Sequence, residues 1–336
     1  MVSLKDIASR CGVSVATVSK ALNNQQDISP KTRERIRQVA EEMGYMVNAA
    51  ARMLKTNRSY NIGVLFVDSR HSGLAHEFFS SVLDSLRVEA ERHGYDITFI
   101  HSNVGPGAGS YLQHCLYRGI DGVVIASVDF TAPMVIELVN SGLPVVTIDH
   151  VFNNRIAVIS DNIQGMEQLT RYVIEKGHRK LAFIHGEETT VTENRLTGFH
   201  RACAEAKISI PEEWMRRSPF HDSEGCYHVT KELLSGANRP TCIFFPDDYS
   251  SIGAVNAIHD LGLRIPEDIS AVGYDGIALS QMLSPRLTTW QQDTKELGRL
   301  AAASLVELIE SPKTAILDRH IVHGRLLEGE SVSDLR

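Results

Sequence analysis

The sequence predicts a two-part chain: a small all-α head of helix-turn-helix type, followed by a larger α/β body of two doubly wound lobes. Three observations carry this reading. Residues 1–58 hold ten Lys/Arg against five Asp/Glu and the remainder 24 against 36, so a basic head stands on an acidic body within a net charge of −7. In the head, apolar residues recur at helical spacing. In the body, short apolar runs alternate with helical stretches in two successive blocks, the pattern of buried parallel strands joined by right-handed crossovers. At 336 residues, 43% of them hydrophobic, the chain is long enough for two or three domains with substantial cores.

The head is built from three short helices. Leu4, Ile7, Ala8 and Cys11 fall at i, i+3, i+4 and i+7, and Gly12 stops that helix. Ser14 is placed to cap a second helix that turns Val18, Ala21 and Leu22 inward and Val15, Ala16, Ser19 and Lys20 outward. Ser29 and Pro30 open a third, with Ile36, Val39, Ala40 and Met43 inward and Gly44 as its stop. Two short helices joined by Gly-Val-Ser and braced by a third make a helix-turn-helix unit. Its second helix is thin enough to enter the major groove N-terminus first. There Thr17, Ser19 and Asn23 have the chemistry for phosphates, Lys20 for guanine O6/N7, and Val15 and Ala16 for thymine methyls and base edges. A three-helix bundle without nucleic acid shares this pattern, so the pattern alone leaves both readings open.

In the body, IGVLFV (62–67), DITFI (96–100), DGVVIAS (121–127) and PVVTID (144–149) read as strands of one lobe. KLAFIHG (180–186), CIFF (242–245) and ISAVGYD (269–275) read as strands of the other. Ligands of such lobes sit beyond the carboxyl ends of the strands, so a cleft between two lobes is the expected binding site. GPGAG (105–109) lacks the Lys-Ser/Thr ending of a phosphate loop and reads as a flexible loop. The fourteen histidines form no HExxH or HxH, and no GxSxG elbow is present, so neither a metal, a cofactor nor a nucleophilic enzyme is expected. The first residues, MVSLKDIASR, lack an apolar signal-peptide core, and no apolar run approaches the ~18 residues of a membrane span. Five cysteines without a CxxC pair suit reduced thiols in the cytoplasm.

The stretch LKDIASRCGVSVATVSKALNN, continuing into GYMVNAAARMLKTNRSYNIGVLF, resembles the DNA-binding region of the LacI/GalR family of bacterial transcription regulators. The body segments ISDNIQGMEQLTRYVIEKGHRKLAFIHG, RLTGFHRAC and IPEDISAVGYDGIALSQMLSPRLTTWQQD resemble the same family and, through it, the periplasmic sugar-binding-protein fold. The resemblance spans almost the whole chain. It implies a head over 1–45, a hinge helix and linker over 46–60, and a two-lobed effector-binding and dimerisation domain over 61–330. Lobe 1 then takes about 61–160 plus 291–320, lobe 2 about 161–290 plus 321–330, and 331–336 form a tail.

Carried over residue by residue, the resemblance places Asn48 at the start of the hinge helix, with Ala51 and Leu54 facing the operator minor groove. Val47 stands where the family usually has proline. A helix as short as AAARMLK is marginal alone, so a partner helix and DNA would have to order it. The resemblance also implies effector contacts from Arg195, Asp275, Asp247, Asp161, Gln292 and Phe220, with Phe78 and Phe79 contributing from the other lobe. Capping acids, a helix-surface ion pair and plain core aromatics are the structural alternatives for these side chains. The implied function is a ligand-controlled regulator, a repressor acting on double-stranded operator DNA, whose effector is a sugar or, alternatively, a purine-type corepressor. A sugar-binding transport protein is the further alternative. The polar ending LLEGESVSDLR lacks the leucine heptads of a tetramer-forming tail, which predicts a homodimer.

Overall fold

The computed structural model describes residues 2–22, 25, 27–45, 58–67, 73–104 and 107–336. The chain divides into two compact units, Met1–Ser59 and Tyr60–Arg336.

In the first unit, α1 (Leu4–Cys11) opens on a capping box: Ser3 Oγ accepts from the Asp6 N–H while the Asp6 carboxylate accepts from the Ser3 N–H at 2.8 Å. Gly12, at φ 62°, ends it in the left-handed conformation that glycine adopts without a Cβ clash. The Oγ of Ser14 accepts from the Thr17 N–H at 3.1 Å and starts α2 (Val15–Leu22). Ser29 does the same for Thr32 at the head of α3 (Pro30–Glu42). Ile7, Ala8, Cys11, Val18, Ala21, Ile36 and Ala40 close the core between them. The Arg35 guanidinium donates to the Cys11 carbonyl and ties α3 to the end of α1.

The second unit has two lobes. Lobe 1 begins with β1 (Asn61–Phe66), α4 (Glu77–Arg92), β2 (Asp96–Phe99) and the two-residue strands β3 (Asn103–Val104) and β4 (Gly107–Ala108). It continues through α5 (Tyr111–Arg118), β5 (Gly122–Ser127), α6 (Pro133–Val139), β6 (Val145–Ile148) and β7 (Ile156–Ser160). Lobe 2 runs through α7 (Asn162–Glu175), β8 (Leu181–His185), α8 (Thr190–Glu205), β9 (Met215–Arg217) and α9 (Ser223–Ser235). It then adds β10 (Cys242–Phe244), α10 (Asp248–Asp260), β11 (Ser270–Asp275) and β12 (Thr288–Gln291). The chain returns to lobe 1 as α11 (Thr294–Glu310) and β13 (Arg319–Val322), and to lobe 2 as β14 (Arg325–Leu327).

Each lobe carries a six-stranded sheet, ordered β13-β7-β6-β5-β1-β2 and β14-β12-β11-β10-β8-β9. All pairings within these two sheets are parallel except β12 with β14. Helices cover both faces. In lobe 1, α4 and α11 bury Val82, Leu86, Leu297, Ala301 and Leu305 against Val64, Val124 and Val146 on one face. Leu65, Val123, Ile125 and Val145 pack with Val135 and Leu138 on the other.

Four features differ from the sequence expectation. β7, β9 and β12 to β14 stand beside the anticipated strands. The GPGAG loop contains β4, which pairs antiparallel with β3, Asn103 opposite Ala108. β13 carries residues 319–322 into lobe 1, held between the Asp318 carbonyl on Ala157 N–H and the Val322 carbonyl on Asp161 N–H, so lobe 2 resumes at β14. Residues 331–336 are no free tail: Ser331 Oγ bonds the Ala271 carbonyl and accepts from Thr288 N–H, and Leu335 N–H donates to the Lys176 carbonyl at 2.7 Å.

None of the described helices is long and apolar enough to cross a membrane. All five cysteines are free and buried, and burial pushes the Cys115 and Cys203 thiols up to about 12, which keeps them protonated.

Candidate functional site

The head presents one helix face. On α2, Ser14, Val15, Ala16 and Lys20 are exposed while Thr17 and Ser19 are half-buried, and Val18 and Ala21 fill the core. The hydroxyls of Ser14 and Thr17 bond each other at 2.8 Å, so the first turn presents a fixed pair of hydroxyl oxygens. Lys20 is engaged: its ammonium pairs with the exposed Asp27 carboxylate, and that bond holds the Asp27 carboxyl below its ordinary range. Asn23, Asn48, Ala51 and Leu54 lie outside the described residues.

In the body, a cavity of about 360 Å³ opens between the lobes, at the carboxyl ends of the strands. Arg195 is its buried hub. Its Nε donates to Asn162 Oδ1 and its Nη1 to the Pro246 carbonyl, both at 2.8 Å, and its Nη2 lies 3.6 Å from Asp275 Oδ1. The guanidinium carbon sits 3.7 Å from the Tyr274 ring centroid and 5.5 Å from that of Phe220, so one face is stacked while the group stays fixed in plane.

Asp275 ends β11 at φ 110°, a conformation costing roughly 1–3 kcal/mol in a non-glycine residue. Gln292 Nε2 donates to its Oδ1 at 2.7 Å. The carboxamide oxygen of Gln292 is buried with no hydrogen-bond partner among the described residues, a strong acceptor left for a ligand donor. Burial pushes the Asp275 carboxyl well above the usual carboxylate range, against the pull of Arg195.

The cavity also receives Phe220, whose ring lies against Gly186 so closely that an added Cβ there would sit 2.3 Å from it. Phe78 and Phe79 line it from the start of α4. Phe78 is at the same time a member of the lobe 1 core, as the structural alternative holds. Asp247 lines the cavity too, but its oxygens accept from Ser250 N–H, Ser250 Oγ and His221 N–H at 2.7 to 2.8 Å, so it caps α10 and fixes the 221 loop. Asp161 is placed apart from these. Its carboxylate caps α7 through Gln164 N–H and lies 3.1 Å from His323 Nδ1, and it is not part of the cavity lining.

The cavity lining also brings in side chains that the sequence did not single out, Asp149, His150, Phe130 and Glu187 among them. Asp149 follows β6 in the left-handed region at φ 54°, its carboxylate held by Ser160 N–H at 2.7 Å and pushed up by burial. His150 stacks on Phe130 at 4.1 Å and 6°, an aromatic wall contributed by lobe 1. Glu187 accepts from the Phe220 N–H at 2.9 Å. Asp149 carried a readable signal, since it follows PVVTI as Asp275 follows SAVGY, each at the carboxyl end of a parallel strand. Among the described residues no group of three or more His, Cys, Asp or Glu could hold a metal ion.

A helix-turn-helix head joined to a two-lobed body with a polar cleft defines a DNA-binding regulator that answers to a small molecule. Comparison with known proteins makes the class specific. Residues 3–48 match the model of bacterial regulatory proteins of the lacI family, and 170–332 match the periplasmic binding protein-like domain. The chain is 31% identical over 343 aligned positions to the HTH-type transcriptional repressor PurR of Pectobacterium carotovorum subsp. carotovorum strain PC1, covering 99% of this chain and 98% of that protein. It is 34% identical to the ribose operon repressor of Haemophilus influenzae, over 93% of both chains. Among solved structures it is similar to the regulator CelR in complex with cellobiose, with a TM-score of 0.71 at 25% identity over 98% of this chain and 100% of that one. It also shares the fold of a lac repressor dimer bound to operator and the anti-inducer ONPF, with a TM-score of 0.80 at 24% identity over 99% of both chains. The chain belongs to the LacI family: it is a DNA-binding transcription regulator with a small-molecule effector domain, and not an enzyme.

Proposed function

We propose that this regulator is a cytoplasmic, homodimeric repressor whose effector is an uncharged polyol, in the first instance a sugar. The observation that carries the effector class is the acid-rich lining of the cleft. Five acidic groups, of Asp129, Asp149, Glu187, Asp247 and Asp275, stand beside the single guanidinium of Arg195, and with Asp149 and Asp275 pushed toward the protonated form by burial the other three still outnumber it. A phosphorylated or carboxylated ligand would meet more acids than cations, whereas vicinal hydroxyls offer both donors to the acids and acceptors to Arg195. Phe220 supplies a flat apolar face and Gln292 Oε1 an unused acceptor. A LacI family regulator from Enterococcus faecium with bound ribose, 26% identical with a TM-score of 0.69 over 82% of this chain and 100% of that one, supports the same class. The contact set is Arg195, Asp275, Gln292, Phe220, Phe78 and Phe79, with Asp247 behind it and Asp149 added from lobe 1.

On DNA, two heads take a roughly palindromic site. Ser14, Thr17, Ser19 and Asn23 hold phosphates, Val15, Ala16 and Lys20 read base edges, and hinge residues Asn48, Ala51 and Leu54 deform the centre. The effector acts through its differential affinity for two lobe geometries. The test is a thermal-shift panel of neutral sugars, their phosphates and purine bases, since a ligand of the folded state raises its melting temperature. A neutral sugar is expected to give the largest shift. A purine base alone shifting it would establish the corepressor alternative, and a sugar phosphate shifting it more than its parent sugar would sink the charge argument.

A further inference from the structure

Four consecutive residues past the cavity are each anchored to a different part of the body. Asp275 faces the cavity, with Arg195 and Gln292 on its carboxylate. Gly276, at φ 71°, lies so close to β12 that a Cβ would sit 2.5 Å from Gln291 Cα. The Ile277 N–H donates at 3.0 Å to the fully buried carboxylate of Asp248, while the Ile277 side chain packs against the core of lobe 1. The Ala278 N–H donates at 2.6 Å to Glu77, the first residue of α4 in lobe 1. Adjacent amides are therefore held by one carboxylate from each lobe, next to a residue that faces the ligand.

We infer that the segment Asp275–Ala278 is the connector through which occupancy of the cavity sets the position of lobe 1 against lobe 2, with Glu77 and Ile277 as its positioning residues. The inference rests on the body being an effector domain, as proposed above. Two successive residues at positive φ leave the segment little freedom to absorb a shift locally. A displacement of the Asp275 carboxylate is thus handed on within two residues to a side chain packed in the other lobe, and packed cores switch between arrangements rather than deform smoothly. A second, smaller cavity of about 110 Å³ adjoins the segment, lined by Glu77, Asp275, Ile277 and Leu279, and gives it room to move. The Glu77 carboxylate accepts from the connector at Ala278 and from none of Arg195, Asn162 or Gln292 in the described hydrogen bonds, so the connector is its hydrogen-bonded route to that cluster.

Amide hydrogen exchange on the full chain without any effector tests this and separates its failure from that of the ligand screen. Gln292 N–H donates to the Asp275 carbonyl at 3.1 Å and reports the cavity end, while Ser80 N–H donates to the His76 carbonyl at 2.8 Å and reports the lobe 1 end. Glu77→Ala should speed exchange about tenfold at Ile277, Ala278 and Gln292, whereas Glu77→Gln, which keeps a carbonyl acceptor, should restore slow exchange. Read from the cavity end, Asp275→Asn should in turn speed exchange at Ser80 in lobe 1. Exchange changes confined to the mutated lobe, or Glu77→Gln behaving as Glu77→Ala, would overturn the inference. Should Asp275→Asn fail to fold, the Glu77 pair alone decides, because its readout at Gln292 lies in the other lobe.

Discussion

The reading face of the head and the floor of the cleft are built by opposite means. Around the reading helix the fixed groups are local and at the surface: Ser14 caps Thr17, Ser29 caps Thr32 and Lys20 meets Asp27. In the cleft, Arg195 finds its partners 33 and 51 positions away, and all are buried. Local exposed contacts are cheap to change and tune affinity. Buried long-range ones set whether the site exists, because removing one partner strands the others without water.

The largest effect should therefore come from the cleft. Arg195→Ala leaves Asn162 Oδ1 and the Pro246 carbonyl without their donor and the Asp275 carboxyl without its cation. The expected cost is about 3–5 kcal/mol of body stability by urea unfolding, together with loss of the effector's thermal shift. A variant as stable as the wild type would show that the cluster is not the hub described.

The next effect is a pH dependence specific to the body. Burial pushes the Asp248 carboxyl up to about 7, although Thr289 Oγ1 and Ile277 N–H both bond it. Its folded pKa thus lies above the unfolded 3.8, and between the two the folded state holds a proton that the unfolded chain has released. Its contribution is fully present below the unfolded value and lost as pH rises through about 7. Measured against Asp248→Asn, wild-type stability should gain about 2–3 kcal/mol between pH 8 and pH 5. Burial shifts Asp149 and Asp275 in the same direction. His178 runs the other way: burial lowers its pKa, so its contribution is present at high pH and falls as pH drops below the ordinary histidine value. A difference between wild type and Asp248→Asn that stays flat across this range would break the claim.

These same contrasts explain what was legible in the sequence. The head was readable because a helix start, its cap and its stop lie within a few residues of one another, as Ser3 to Gly12 shows. Most interior strands were readable as apolar runs, although β7 and β12 were not. Of the edge strands, β2 was readable as DITFI, whereas β13 leaves Ile321 more than half exposed and β9 is three residues long, so neither carries a periodic signal. In the cleft, motif resemblance located Arg195 and Asp275, but it could not tell a cavity side chain from a cap. Asp161 and Asp247 both cap helices, and only the second also lines the cavity. Asp149 and His150 were missed because the loop after β6 carries no motif, although the strand end itself marked the place.

Among the DNA contacts, Leu54→Ala should weaken operator binding about tenfold in a gel-shift titration and leave effector affinity unchanged, since a lost wedge removes part of the deformation that the hinge exploits. Equal operator affinity would remove the wedge role. Thr17→Ala should weaken all operator variants alike, as expected for a phosphate contact, whereas Lys20→Ala should flatten the preference at one base pair.

The smallest effect isolates the pairing that only the structure revealed. In the proposed role of Lys20 as a base reader, its ammonium has to leave Asp27 first, which would make Asp27 an internal competitor of DNA. Both side chains are exposed, so the pair contributes little to folding and is screened by salt. Asp27→Asn should then tighten operator binding by a few-fold at low salt, with the gain shrinking as salt rises, and leave the melting temperature of the head nearly unchanged. The gain should vanish in the Lys20→Ala background. A gain that survives there would mean that Asp27 repels the phosphate backbone directly, and Lys20 would lose its place as the charged reader of this helix.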